Sequence, residues 1–196
     1  MDRKKAARLL YNKYALDFEE RTRDYIVDGR ELFIKNLNGK DVLDLGCGPG
    51  RDSLFFKNQG FNPFCIDISP VIIKMCKEKG LDAKIGDFEN LEFENNSFDG
   101  VWAYTSLLHS PKKKFAGIIG KIGVILREKG IFYLGMKEGD FEGWIKDERY
   151  SGMPRFIALY KDEELKEILS KKFNIAHNIR VEFDGKVYLN YLCRKI

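Results

Sequence analysis

Three short stretches of the chain carry residue types from which a nucleoside site can be built. Gly46-x-Gly48-x-Gly50 directly follows the apolar run Asp41-Val42-Leu43-Asp44-Leu45. Glycines there let the backbone turn tightly and approach a ligand closely, although a ligand-free strand-to-helix turn would use the same residues. The dinucleotide fingerprint G-x-G-x-x-G is broken, because its third glycine would fall at Arg51. A pyrophosphate therefore lacks its usual seat, and a nucleoside does not. Asp67 closes a second apolar run, where an acid can accept both hydroxyls of a ribose. Its other reading is a helper in capping the next helix, a task that Ser69 already suits. Gly86-Asp87-Phe88 follows a third short run. That carboxylate can accept from an exocyclic amine such as adenine's, while Phe88 either lies by the ring or belongs to the core.

These residues need elements that bring them to one edge. Residues 1–37 read as two helical segments, the second carrying Tyr25, Ile26, Leu32, Phe33 and Leu37. Strands follow at 41–45, 64–68, 82–85, 98–104 and 131–136. The intervening helices are 51–59, one capped by Ser69-Pro70 and ending at Gly80, and one from Ser110-Pro111 to near Gly130. Residues 137–160 interrupt the alternation with glycines, Trp144, Tyr150, Arg155 and Phe156. Asp162 is placed to cap a further helix, and 175–183, Asp184-Gly185 and 187–194 read as a closing antiparallel hairpin. Such alternation implies an α/β fold, a parallel sheet with helices on both faces. Ligands bind such sheets beyond the carboxyl ends of the strands, where all three stretches lie.

The 196 residues fit one domain, and 34 Lys+Arg against 30 Asp+Glu give +4, a balance that demands neither a nucleic acid nor an anionic membrane. No apolar run approaches the ~18 residues of a membrane span, so a soluble, cytoplasmic protein, monomer or homodimer, is expected. Cys47, Cys65, Cys76 and Cys193 form no C-x-x-C pair, and His109 and His177 lie far apart, so buried reduced thiols and no metal site are expected.

Val42 to Gly50, then Asp67, Gly86-Asp87-Phe88 and Phe98 to Ala103, together resemble the class I S-adenosylmethionine-dependent methyltransferases. Gly50-Arg51-Asp52-Ser53, Leu107-Leu108-His109 and Leu189-Asn190-Tyr191-Leu192 are similar to a small, tellurite-resistance-like group within them. The resemblance implies a Rossmann-like seven-stranded sheet of order 3-2-1-4-5-7-6 with the last strand antiparallel. It implies one methyltransferase domain over 1–196: a helical cap to residue 38, a cofactor core at 39–136, a substrate-side insertion at 137–160, then the helix and hairpin.

S-adenosylmethionine is the implied cofactor and S-adenosylhomocysteine its product. Asp44, Gly46, Cys47 and Gly48 would surround the methionine part, with Arg51 beside them. Asp67 would hold the ribose, Ile68 would lie against the adenine, and Asp87 and Phe88 would address its edge and face. Ala103 and Tyr104 would line the path to the methyl group, and Tyr11, Tyr14 and Arg23 are lid candidates.

The expected activity is in-line methyl transfer to a small-molecule acceptor. Transfer to RNA, for example a tRNA base, and a non-catalytic S-adenosylmethionine-binding module are the alternatives. Arg51 makes a nicotinamide dehydrogenase a remote fourth. His109 is read either as a proton acceptor or as a helper at the start of the next helix. No aspartate pair beside an Asn marks a divalent-metal site, and the Asn/Asp-Pro-Pro-Tyr signature of base amino methylation is missing. Lys112-Lys113-Lys114 is read as a solvated helical turn or as phosphate contacts, and 137–160 as a pocket lid or a local core.

Overall fold

The computed structural model describes residues 1–25, 27 and 29–196. The first 35 residues hold α1 (Arg3–Lys13), α2 (Ala15–Thr22) and α3 (Gly29–Lys35), so the cap has three helices rather than two. Ile26, expected on a helical face, lies outside the described residues. The alternating core follows: β1 (Asp41–Leu45), α4 (Arg51–Asn58), β2 (Asn62–Asp67), α5 (Pro70–Glu78), β3 (Asp82–Ile85), β4 (Phe98–Tyr104), α6 (Lys112–Ile125) and β5 (Leu126–Lys137). The ending is β6 (Glu142–Asp147), β7 (Met153–Ala158), α7 (Asp162–Ser170), β8 (Phe173–Phe183) and β9 (Lys186–Lys195).

The main sheet runs β3-β2-β1-β4-β5-β9-β8, with β9 antiparallel to β5 and β6–β7 forming a separate two-stranded ribbon. Numbered without that ribbon, this is the expected order, and the fold is the Rossmann-like methyltransferase α/β class.

The strands of the sheet centre are buried on both faces, as parallel strands between helices must be. Val101, Ala103, Phe132 and Leu134 join Phe115, Ile118, Ile122 of α6 and Leu165, Leu169 of α7 on one side. On the other, Val42, Trp102 and Tyr133 meet Phe33 of α3 and Phe56 of α4. Trp102 and Tyr133 stack with ring centroids 4.2 Å apart, and the Trp102 indole N–H donates to Asp52 at 3.0 Å.

Local chemistry sets the boundaries. The Ser69 hydroxyl accepts from the Ile72 N–H at 3.2 Å, and Pro70 opens α5. Helix α6 stops at Ile125, five residues short of the expected Gly130. Leu126 is fully buried and pairs with Phe98, so the strand ladder claims it. Asp162 does not cap α7: its carboxylate accepts from the Asn178 amide and the Tyr191 hydroxyl, while Glu164 accepts from the Lys161 N–H.

Gly100 of β4 is where α3 docks. A Cβ there would lie 2.6 Å from both Phe33 and Leu37. Gly100→Ala should cost ~1–3 kcal/mol by forcing that helix outward. Gly117→Ala, on an open side of α6 where a Cβ meets nothing within 4 Å, should gain ~0.5–1 kcal/mol. Equilibrium urea denaturation measures both, and equal stabilities for the two variants would contradict this docking.

Candidate functional site

Two adjoining cavities open at the carboxyl edge of the sheet. The first, about 90 Å³, is walled by Gly46, Gly48, Asp67, Ile68, Asp87 and Phe88. The second, about 580 Å³, reaches from Asp44, Cys47 and Arg51 to Lys137, Arg149 and Arg155. Tyr11, Phe18, Tyr104, Thr105 and His109 border both.

The glycine loop is shaped by what crowds it. Gly46 has φ +70°, and a Cβ there would lie 2.5 Å from Ser106 Cβ. Its N–H and that of Cys47 both donate to the Ile66 carbonyl, at 2.8 and 3.1 Å, tying the loop to the end of β2. Asp44 lies buried behind the loop and accepts from the Ser53 hydroxyl at 2.7 Å. Burial pushes its carboxyl well above the usual range. Arg51 forks onto Asp52 at 2.8 and 2.9 Å and reaches the Thr22 carbonyl at 3.3 Å, binding the loop to the helical cap.

Asp67 accepts from the Gly48 N–H at 3.3 Å and the Ser69 N–H at 2.9 Å. A carboxylate has about four lone-pair sites, so two hydroxyl donors can still be accommodated. Desolvation raises this carboxyl to about 6, against the lowering by those N–H groups. On the same wall the buried Ser106 hydroxyl has no partner among the described residues. A half-buried acceptor with spare capacity, an orphaned hydroxyl and the apolar Ile66, Ile68 and Phe88 form a lining that fits a nucleoside. Asp87 is engaged by Lys4 of α1, so in this state the cap holds the group expected at an adenine edge.

The lid differs in detail from expectation. Tyr11 lines the cavities, whereas Tyr14 and Arg23 do not. Helix α1 ends at Lys13, so Tyr14 turns away and packs edge-on against Tyr150, centroids 5.4 Å apart. Arg23 is exposed at the end of α2. Ala103 is fully buried in the sheet core and lines neither cavity, because alternation along β4 points it toward α6.

His109 is held at both ring nitrogens. Nδ1 lies 2.9 Å from the Phe156 carbonyl, which only accepts, so Nδ1 carries the proton. Nε2, 2.8 Å from the Tyr11 hydroxyl, then accepts from it. Burial, helped by the charge of Arg155, takes the imidazole down to about 3. A ring so held is a poor proton acceptor and a good anchor. Burial in turn lifts the Tyr11 phenol to about 12. Arg3 donates to the His109 carbonyl at 2.6 Å and pairs with Glu89, so α1 is fastened at two points.

Residues 137–160 run from the end of β5 through the β6–β7 ribbon, and Lys137, Arg149, Tyr150, Arg155 and Ile157 line the second cavity. Lys137 was not singled out in the sequence, although its place at the carboxyl end of the fifth strand is the signal that would have found it. The lysine run is not freely solvated: Lys112 pairs with Glu164 at 3.0 Å and Lys114 with Glu89 at 2.9 Å. All four cysteines are reduced and buried. The fold nevertheless gathers Cys47, Cys65 and Cys76, with sulfurs within 4.8 Å of one another, a cluster that sequence spacing gave no hint of.

The sheet order is that of the Rossmann-like methyltransferase fold, and the proteins this chain is similar to are methyltransferases. Residues 42–130 match the family model of the methyltransferase domain. A sarcosine/dimethylglycine N-methyltransferase of Aphanothece halophytica is 41% identical over 85 residues, which are 39% of this chain and 31% of that enzyme. A sterol 24-C-methyltransferase of Gibberella zeae is 32% identical over 154 residues, 72% of this chain and 37% of that enzyme. The chain thus spans about a third of the length of these curated relatives. The solved 1,6-didemethyltoxoflavin-N1-methyltransferase of Burkholderia thailandensis, with S-adenosylhomocysteine bound, superposes with a TM-score of 0.79 at 22% identity, covering 97% of this chain and 88% of that one. Among the described residues no helix is long and apolar enough to cross a membrane.

The buried neutral imidazole gives a testable pH signature. In the unfolded chain a His titrates near ~6.5, whereas the folded His109 titrates near about 3. Stability gained by burying it neutral is therefore complete above the unfolded value and is lost as pH falls toward 3. The thermal stability of the wild type relative to His109→Gln should shrink steadily between pH 7 and pH 4.5. A constant difference across that range would show that His109 does not carry this role.

Proposed function

We propose that the chain binds S-adenosylmethionine and transfers its methyl group to a small-molecule acceptor. The observation that carries this reading is the ring of Gly46, Gly48, Asp67, Asp87 and Phe88 around one cavity, with the larger cavity directly beyond it. When bound, S-adenosylmethionine supplies an electrophilic methyl group on a positively charged sulfur, so the protein need not activate the donor.

The chain's own residues then have positioning tasks. Asp67 accepts the ribose hydroxyls, and Ile68 and Phe88 take the base between apolar surfaces. The backbone at Gly46 to Gly48, with Asp44 and Arg51 near it, receives the methionine end. Tyr104 and Thr105, at the junction of the cavities, border the path along which an acceptor approaches. Holding the acceptor in line and excluding water is the main source of rate in such a site. His109 acts as a positioning residue that fixes the Tyr11 hydroxyl at that junction. The ribbon of 137–160 closes the far side as the acceptor lid.

The first cavity is smaller than the ~300 Å³ at the low end of ligand sites. Entry of a nucleoside therefore requires α1 and α2 to move outward, releasing Asp87 from Lys4. The two paired lysines of the 112–114 run favour a small acceptor over RNA, since they are already neutralised by carboxylates.

Calorimetric titration with S-adenosylmethionine tests the reading. Wild-type protein should bind in the micromolar range. Asp67→Asn should weaken binding ~10–100-fold, the worth of a charged hydrogen bond or two. The same substitution leaves one of the two backbone N–H groups on Asp67 without its acceptor, so affinity is compared on variant protein shown to be folded by its melting curve. Unchanged affinity in Asp67→Asn, or no binding by folded wild type, would contradict the proposal.

A further inference from the structure

The far wall of the larger cavity is built from cations. Lys137 at the end of β5, Arg149 in the turn after β6 and Arg155 in β7 all line it. Asp147, buried beneath them, is shared by Arg149 at 2.7 Å and Arg155 at 2.8 Å. Two of the three cations thus share one carboxylate. Among the described residues Lys137 has no carboxylate within ion-pair distance, and its ammonium stands 5.8 Å from the Tyr188 ring centroid. Arg155 is buried, and its Nε–H has no acceptor among the described residues.

The carboxylates elsewhere around this cavity do not cancel the excess. Asp52 is held by Arg51 and the Trp102 indole, Asp44 lies behind the glycine loop on Ser53, and Asp24 is at the exposed rim. Burial, followed by repulsion from Arg155 and Arg149, brings Lys137 down to about 8, which reports the same uncompensated field. Crowding like charges in a half-buried wall costs stability unless a ligand of opposite sign relieves it. Tyr11, Tyr104, Tyr150 and Tyr188 complete the chamber with aromatic surface.

We infer that the methyl acceptor is an anion, a small aromatic or otherwise flat molecule whose carboxylate or phosphoryl group sits against Lys137 and Arg155. This rests on the methyltransferase reading above and names its substrate class. The anchored group would leave the opposite end of the molecule directed toward Tyr104 and the glycine loop, where methyl transfer takes place.

The test uses the whole chain saturated with S-adenosylhomocysteine, whose own binding is measured first. Benzoate, phenyl phosphate and neutral benzamide are then titrated separately, up to 10 millimolar, as estimated for weak single-group anchors. At least one anion should bind ~10-fold or more tightly than benzamide, as a charge-assisted contact requires. The tighter of the two identifies the anchored group as carboxylate or phosphoryl. Lys137→Gln should abolish that preference and Lys137→Arg should restore it, a rescue that a merely structural lysine would not show. Benzamide binding as well as the anions, no anion binding at all, or an anion preference untouched in Lys137→Gln would each overturn the proposal. Failure of S-adenosylhomocysteine to bind would instead speak against the methyl-donor reading itself.

Discussion

The imidazole of His109 ties together three parts of the molecule that are remote in sequence. It sits in the turn after β4, accepts from Tyr11 of α1 and donates to Phe156 of β7. The Phe156 carbonyl demands a proton on Nδ1, and burial keeps the ring neutral, so that Nε2 is the acceptor. Without this anchor the helical cap and the ribbon would each meet the carboxyl edge of the sheet independently. With it, the two walls of the larger cavity and the roof of the smaller one share a single point of support.

The cap is also tied by ion pairs at the Asp87 end of the smaller cavity. Lys4 holds Asp87, and Arg3, Lys4 and Lys114 surround Glu89, whose carboxyl is brought down to about 2, burial opposing and these cations prevailing. Partly exposed ion pairs exchange readily with water and contribute little each. The Tyr11–His109–Phe156 chain is more buried and directional. The ion pairs over Asp87 and the His109 junction thus hold opposite ends of the cap by different means.

The residues that wall the smaller cavity were largely legible in the sequence, and the cationic wall of the larger one was not. Gly46, Gly48, Asp67, Ile68, Asp87 and Phe88 each follow a strand at short distance, and a parallel sheet brings all strand ends to one edge regardless of side-chain detail. Of the three lid candidates only Tyr11 lines the cavities: the break after Lys13 turns Tyr14 toward Tyr150, and Arg23 is exposed at the end of α2. Ala103 failed on strand parity. The wall of Lys137, Arg149 and Arg155 depends on a ribbon whose sequence, Glu142-Gly143-Trp144-Ile145-Lys146-Asp147, has little of the apolar alternation that marks a buried strand. The cluster of Cys47, Cys65 and Cys76 was invisible because its members come from a loop, a strand and a helix joined only by the fold.

The account's central claim is that two adjoining cavities divide one reaction, donor in the first and acceptor in the second. A crystal structure of the S-adenosylhomocysteine complex tests this most directly. The account predicts ribose hydroxyls on Asp67, the base between Ile68 and Phe88, and the sulfur at the junction beside Tyr104 and Thr105, facing the larger cavity. A ligand whose sulfur points away from that cavity, or whose ribose avoids Asp67, would contradict it.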